Sequence, residues 1–273
     1  MAEVNDAQTK LWNGAAGQSW VQAQRFIDRI YAPIQDVLVS AARAGDRVLD
    51  IGCGTGGVTV ATARAAGGHC VGVDISDVMV DAARERAENA GVSATFLRAD
   101  AQSYDFEAAA FDLVVSRFGV MFFEDFGAAF TNLRRATASG GGLRFVTWRG
   151  IEENPFMTTA ETAAAPLMPD LPVRDLDGPG QFGLADPDRV RGLLDGAGWT
   201  EIDLQPLDVR CVLSEQELMD FITLLGPVGR ALPDVDEDTR AKVIEVARAA
   251  FDPFVSEGEV TFTAACWDIA ARA

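Results

Sequence analysis

Residues 48–57 read Val-Leu-Asp-Ile-Gly-Cys-Gly-Thr-Gly-Gly, and their setting decides the fold. Arg47–Ile51 has the apolar composition of a short buried strand, and a helix over Val58–Ala66 follows. Between them, Gly52, Gly54 and Gly56 fit G-x-G-x-G, while Gly52, Gly54 and Gly57 fit G-x-G-x-x-G. A second strand, Cys70–Asp74, ends on a carboxylate 22 positions after Gly52. Glycines let a backbone approach its ligand, and a carboxylate at that place accepts both hydroxyls of a ribose. The order strand, glycine loop, helix, strand, acid therefore predicts a nucleotide-type site. The plain alternative is two unrelated turns and a surface aspartate.

Outward from this stretch the pattern continues. A helix over Asp77–Ala90 stops at Gly91. Strands are expected at Ala94–Arg98, Phe111–Ser116 and, after a turn at Gly140–Gly142, Leu143–Trp148, with a helix over Phe126–Ala138 between the last two. Alternating strands and helices predict an α/β fold, a parallel Rossmann-like sheet with helices on both faces. Ahead of it, residues 18–43 read as an amphipathic helix that Pro33 breaks or kinks. Behind it, residues 151–185 hold Pro155, Pro166, Pro169, Pro172 and Pro179 and read as an irregular lid. Helices follow at Asp186–Ala197, from Ser214 with a Ser214–Glu217 capping box, and at Asp236–Phe251. Strands follow at Thr200–Val209 and Val260–Ala270. The expected organisation is an N-terminal helical lid (1–44), a binding core (45–150), a proline-rich lid (151–185) and a segment (186–273) that completes the sheet, with helices of 214–251 inserted as a substrate cap.

Composition narrows the function. The chain has 273 residues, 41 acidic against 23 basic side chains and a formal net charge of -18. That balance disfavours nucleic acid and anionic membrane as partners. Its lysines are Lys10 and Lys242, and neither follows a glycine, so no P-loop exists. Neither Tyr31 nor Tyr104 has a lysine four residues on, which removes the Tyr-x-x-x-Lys pair of short-chain dehydrogenases. Cys53, Cys70, Cys211 and Cys266 are scattered, and with one histidine they form no zinc pattern. No metal is expected. Single cysteines, a polar N-terminus and the lack of a long apolar run suggest a cytoplasmic protein, either monomer or homodimer.

Two ligands compete for the glycine loop. A dinucleotide would place its pyrophosphate on the helix N-terminus. S-adenosylmethionine has no phosphate there, and three features favour it. Asp50 lies just before the loop, Asp100 follows the third strand, and the first strand begins only at Arg47. The stretches VLDIGCGTGG, VGVDIS, ADA and GGLRFVTW together resemble the motifs of class I S-adenosylmethionine-dependent methyltransferases. The small-molecule branch similar to ubiquinone/menaquinone-biosynthesis methyltransferases is the nearest. The resemblance covers residues 45–150. It implies a seven-stranded sheet whose last strand, Val260–Ala270, is antiparallel, and methyl transfer by in-line displacement to carbon, oxygen or nitrogen of a small-molecule acceptor, leaving S-adenosylhomocysteine.

By the same resemblance, Asp50, Gly52, Gly54, Thr55 and Gly56 would wrap the methionine part. Asp74 would hold the ribose, Ile75 and Met79 would sandwich the adenine, and Asp100 with Ala101 would read its edge. Ser116 and Trp20 are further cofactor candidates. The turn Ser116-Arg117-Phe118-Gly119 falls beside the transferred methyl. It lacks the Asn/Asp-Pro-Pro-aromatic signature of amino-methyltransferases, which Asn154-Pro155-Phe156 only approaches. Arg117 would pair with an anion or stabilise charge; its alternative is an ion pair with Glu124 or Asp125. Trp12, Phe118, Met121, Phe122, Trp148 and Arg149 are acceptor-site candidates. His69 precedes the second strand, at the wrong end of the sheet for a base. Tyr31, Tyr104, Glu124, Glu152 and Glu153 remain as base candidates, and alignment of an already nucleophilic acceptor needs none. Two rival readings stand beside this one: an NAD(P)-binding oxidoreductase, and a catalytically silent S-adenosylmethionine-binding protein.

Overall fold

The computed structural model describes residues 5–172 and 174–273. Residues 1–4 of the expected N-terminal lid and residue 173 of the expected proline-rich lid lie outside the described residues. The described chain opens with three helices, α1 (Asp6–Asn13), α2 (Ala15–Ile30) and α3 (Ala32–Val39). The helix expected over 18–43 is thus two. Pro33 sits in the first turn of α3, where its missing N–H breaks no helical bond. α2 buries Ala23, Phe26, Ile27 and Ile30, the spacing of one helical face. α1 has no fully buried residue.

The alternating core is β1 (Val48–Ile51), α4 (Gly57–Ala66), β2 (Cys70–Asp74), α5 (Asp77–Ala90), β3 (Ala94–Arg98), β4 (Phe111–Arg117), α6 (Phe126–Ala136) and β5 (Thr137–Trp148). Every residue of β1 is buried, as in a central strand with helices over both faces. Ser76 and Asp125 cap α5 and α6 by accepting from the N–H groups of Met79 and Ala128. β5 starts at Thr137, so Thr137-Ala138 belong to the strand and not to the preceding helix. Gly140–Gly142 lie within it instead of in a turn. The register with β4 slips between Phe111 and Leu113, and a Cβ on Gly141 would stand 2.7 Å from Thr137 Cγ2. These glycines accommodate a bulge.

Beyond β5 come α7 (Phe156–Ala164), α8 (Pro187–Gly196), β6 (Thr200–Leu213), α9 (Glu215–Leu224), α10 (Gly226–Ala231), α11 (Glu237–Ala250), β7 (Val255–Ser256) and β8 (Glu259–Arg272). Asp186 and the Ser214–Glu217 box cap α8 and α9 as their sequences predict. α7 forms inside the stretch read as irregular, because Pro155 stands at its start and Pro166 beyond its end.

The strand order is β3-β2-β1-β4-β5-β8-β6, with β7 paired on β8. β1 to β5 run parallel, and β8 runs antiparallel to both β5 and β6. This is the expected seven-stranded Rossmann-like sheet, with β7 as a small addition. The order reverses between β1 and β4, the switch point at whose carboxyl ends open α/β sheets bind ligands. α9, α10 and α11 are inserted between β6 and β8. Among the described residues, no helix is long and apolar enough to cross a membrane, and no group of three or more His, Cys, Asp or Glu side chains is arranged to hold a metal.

Candidate active site

A cavity of about 390 Å³ opens at the switch point, bounded by the loops after β1, β2, β3 and β4, by α1 and α2, and by α7, α9 and α10. Its size suits a small organic ligand. Gly52, Gly54 and Gly56 have φ of 62°, 53° and 78°, a region that L side chains rarely enter. A Cβ on Gly52 would lie 2.5 Å from Gly119 Cα, so the loops after β1 and β4 meet backbone to backbone. A Cβ on Gly54 would instead enter the cavity, with Met79 Sδ at 3.7 Å and Trp20 Nε1 at 3.8 Å.

Two carboxylates flank this loop. Asp74 Oδ2 accepts from Gly54 N–H at 2.8 Å, and Oδ1 accepts from Ser76 N–H at 2.9 Å. Burial raises its pKa, and these N–H groups with that of Ile75 oppose the rise. Asp50 is 2% exposed. Burial pushes its carboxyl up to about 7, against the pull of Thr59 Oγ1, which donates at 2.6 Å, and the charge of Arg117.

Arg117 ends β4 and borders the cavity. Its Nη2 donates to Asp28 Oδ1 on α2 at 2.8 Å, and Asp28 Oδ2 pairs with Arg86 at 2.7 Å. Its ion pair is therefore with Asp28, not with Glu124 or Asp125. Arg117 Nη1 is buried and has no hydrogen-bond partner among the described residues.

α1 closes one side. Ser76 Oγ donates to Trp12 O at 2.6 Å, Asn13 Nδ2 to Ile75 O at 3.1 Å, and Asp77 N–H to Asn13 Oδ1 at 2.8 Å. These bonds fasten α1 to the β2–α5 loop and bring Trp12 against Trp20 and Phe122, with ring centroids at 6.1 Å and 5.1 Å. Asp100 Oδ1 accepts from Gln102 N–H at 3.0 Å and Asn5 Nδ2 at 3.4 Å, and Asp100 Oδ2 accepts from Ser103 Oγ at 3.0 Å.

On the opposite side, Phe118 stacks on Trp148 at 4.3 Å, and Tyr31 meets both rings edge-on. Burial pushes the Tyr31 phenol well above its ordinary pKa, with Cys211 and Cys266 adding and Arg117 opposing. At neutral pH it is thus a hydrogen-bond donor and not a base. Tyr104, Glu124, Glu152 and Glu153 do not border the cavity. Glu124 accepts from Asn5 N–H and Glu153 pairs with Arg149. His69 is exposed just before β2, at the other end of the sheet.

Of the sequence-derived candidates, Asp50, Gly52, Gly54, Thr55, Asp74, Ile75, Met79, Asp100, Ala101, Trp20, Arg117, Trp12, Phe118, Met121, Phe122 and Trp148 border the cavity, and three do not. Gly56 faces α5, where a Cβ would lie 2.9 Å from Ala83 Cβ. Ser116 is fully buried; its Oγ donates to Ile51 O at 2.7 Å and accepts from the N–H groups of Gly119 and Val120. It braces the turn from within the sheet. Arg149 points away to Glu153 and Asp208, at 2.8 Å and 3.0 Å. Sequence reading missed Asn5, Glu161, Arg174, Phe221 and Arg230, all of which border the cavity from segments without a recognisable motif.

Comparison with known proteins agrees with this arrangement. Residues 48–141 match the family described as "Methyltransferase domain". An uncharacterized protein of Mycobacterium tuberculosis is 34% identical over 123 residues, 44% of this chain and 44% of that protein. Demethylmenaquinone methyltransferase of Thermus thermophilus is 39% identical over 102 residues, 37% of this chain and 46% of that protein. The matched part of the chain thus spans under half the length of these relatives. A crystal structure of a putative methyltransferase from Bacillus halodurans superposes with a TM-score of 0.58 at 17% identity, covering 88% of this chain and 97% of that one. That likeness speaks for the fold. Residues 48–141 thus match a methyltransferase domain, and the chain around them shares the fold of that crystal structure.

Proposed function

We propose that the protein transfers the methyl group of S-adenosylmethionine to a small-molecule acceptor. The observation that carries this reading is the left-handed Gly52–Gly54 turn, closed by the Asp74 carboxylate and aimed into a single cavity inside a methyltransferase domain. The cosubstrate supplies an activated methyl on a sulfonium. Asp74 keeps lone pairs for the ribose hydroxyls after accepting its two N–H bonds. Ile75 and Met79 flank the adenine, and Asp100 with Ala101 meets its edge. Asp50, Gly52, Gly54 and Thr55 line the methionine end, and Asp50 matches an ammonium in charge. The free Nη1 of Arg117 is a donor for a carboxylate or another anion. Trp20 and Trp12 cover the ligand, and their ring faces suit a cation.

The acceptor would lie against Phe118, Trp148, Met121 and Phe122, under a cover made by α1 and the cap helices. Of the base candidates read from the sequence, Tyr31 alone borders the cavity. Tyr31 holds its proton, so it orients the acceptor, and alignment with an already nucleophilic atom provides the rate. Buried free cysteines suit a reducing cytosol, where the protein would act as a monomer or homodimer.

Calorimetric titration with S-adenosylmethionine, S-adenosylhomocysteine and NADH tests the reading. The two adenosyl ligands should bind and NADH should not; the reverse overturns it. An acceptor screen with methyl-labelled S-adenosylmethionine then distinguishes transfer from silent binding, and binding with no transfer to any acceptor overturns the activity.

A further inference from the structure

The acceptor side of the cavity carries its own charge pattern. α7, α10 and the loop before α8 bring Glu161, Arg174, Gln181 and Arg230 onto its wall. Arg174 is fully engaged: Nε donates to Glu161 Oε2 at 2.9 Å, Nη2 to Glu161 Oε1 and to Met157 O at 3.3 Å, and Nη1 to Gln181 Oε1. Asp175 spends Oδ1 on the N–H groups of Asp177 and Gly178. Of the three arginines bordering the cavity, Arg117 is paired with Asp28 and Arg174 with Glu161. Arg230 has no carboxylate within ion-pair distance and makes no hydrogen bond among the described residues. Its side chain is exposed at the cavity rim; partial desolvation and Arg174 lower its pKa, and Glu161 raises it. In a chain of net charge -18, an arginine left unpaired beside a cavity is a local exception to the surrounding field.

An aromatic path connects this place to the methyl-transfer end. Phe118 stacks on Trp148, Trp148 meets Phe156 at 6.1 Å, and Phe156 meets Phe221 at 6.3 Å. Such a wall favours a flat apolar body. We propose that Arg230 is the anchor of a carboxylate-binding subsite, and that the acceptor is an aromatic or similarly apolar acid held by its carboxylate there. The proposal rests on the methyl-transfer reading. Arg230 acts in binding, and the Glu161–Arg174 pair beside it sets how much positive charge the subsite presents.

The test uses the full chain saturated with S-adenosylhomocysteine. Its probes are three acid–amide pairs of increasing size: benzoate and benzamide, naphthoate and naphthamide, anthracenecarboxylate and its amide. Dissociation constants are read by calorimetry. At least one acid should bind about ten-fold more tightly than its amide, as expected for one charge-assisted contact. Arg230→Ala should erase that preference and Arg230→Lys retain part of it, both with unchanged affinity for S-adenosylhomocysteine. Glu161→Gln, which leaves Arg174 uncompensated, should widen the preference. Equal binding of acids and amides, no acid binding at all, or a preference that survives Arg230→Ala overturns the subsite. If Arg230→Ala loses S-adenosylhomocysteine as well, Arg230→Lys and Glu161→Gln decide. Failure of the wild-type chain to bind S-adenosylhomocysteine overturns the methyl-transfer reading instead, and the acid–amide comparison without it still decides the subsite.

Discussion

Arg117 Nη2 and Asp28 Oδ1 lie 2.8 Å apart and join the last residue of β4 to α2. The pair is largely buried, with 11% and 24% of the side chains exposed. Asp28→Ala would strand both Arg117 and Arg86 without their carboxylate. Removing one partner of a buried pair is strongly destabilising, and the partial exposure of Asp28 reduces the effect. A loss of about 2–3 kcal/mol is expected, read as a lower urea midpoint with unchanged slope. Arg117→Ala should cost less stability than Asp28→Ala and raise the dissociation constant of the cosubstrate or acceptor about ten-fold. Unchanged affinity and turnover in Arg117→Ala would remove Arg117 from the site.

Gly52 and Gly54 should separate stability from binding. Gly52→Ala places a Cβ 2.5 Å from Gly119 Cα at positive φ, so the strain falls on the sheet's two central loops. A stability loss above ~2 kcal/mol is expected, with ligand affinity lost alongside. Gly54→Ala bears only the cost of its positive φ, about 1 kcal/mol. Its methyl enters the cavity, and calorimetry should show S-adenosylhomocysteine binding weakened by far more than the thermal midpoint suggests.

Asp50 gives a pH signature. Its folded pKa of about 7 lies above the ordinary carboxylate value of 3.8. The folded state therefore holds a proton that the unfolded chain has released, and stability falls as pH rises from about 4 to about 7. Asp50→Asn, still able to accept from Thr59, should be more stable than wild type above pH 7 by ~2–4 kcal/mol and no more stable near pH 4. A cationic ligand beside Asp50 favours its charged form. Binding of S-adenosylmethionine near pH 7 should thus release a fraction of a proton, seen as a buffer-dependent calorimetric enthalpy. Affinity should weaken below that pH, and Asp50→Asn should lose both effects.

Asp74→Asn tests the ribose contact. The amide still accepts one of the two backbone N–H groups from Gly54 and Ser76 but loses the charge. Charge-assisted hydrogen bonds carry about 1.5–3 kcal/mol, so affinity for S-adenosylhomocysteine should fall about ten- to a hundred-fold with a smaller change in stability. Full affinity in this variant would exclude Asp74 from ligand contact.

The glycine loop, the parallel sheet and Asp74 were legible in the sequence because each is fixed locally, by a backbone angle, a periodicity or a strand end. The errors have equally local causes. Successive strand residues face opposite ways. Trp148 therefore borders the cavity while Arg149 turns to Asp208, and Ser116 faces the sheet interior while Arg117 reaches the site. The partner of Arg117 lies 89 positions away on another element, and nothing in the 116–119 turn encodes it. Glu161 and Arg230 escaped because α7 is hidden between prolines and α10 is too short for a helical period to register, and Arg174 because it lies in the irregular loop before α8.

α1 crosses the site with no side chain fully buried, and its fastening to the β2–α5 loop is the three hydrogen bonds made by Trp12 and Asn13. A segment held this way opens at a small fraction of the free energy that unfolds the sheet. If the chain transfers methyl groups as proposed, α1 would work as a turnstile: product would leave when α1 lifts, and throughput should then track the breathing of these eight residues rather than the methyl-transfer barrier.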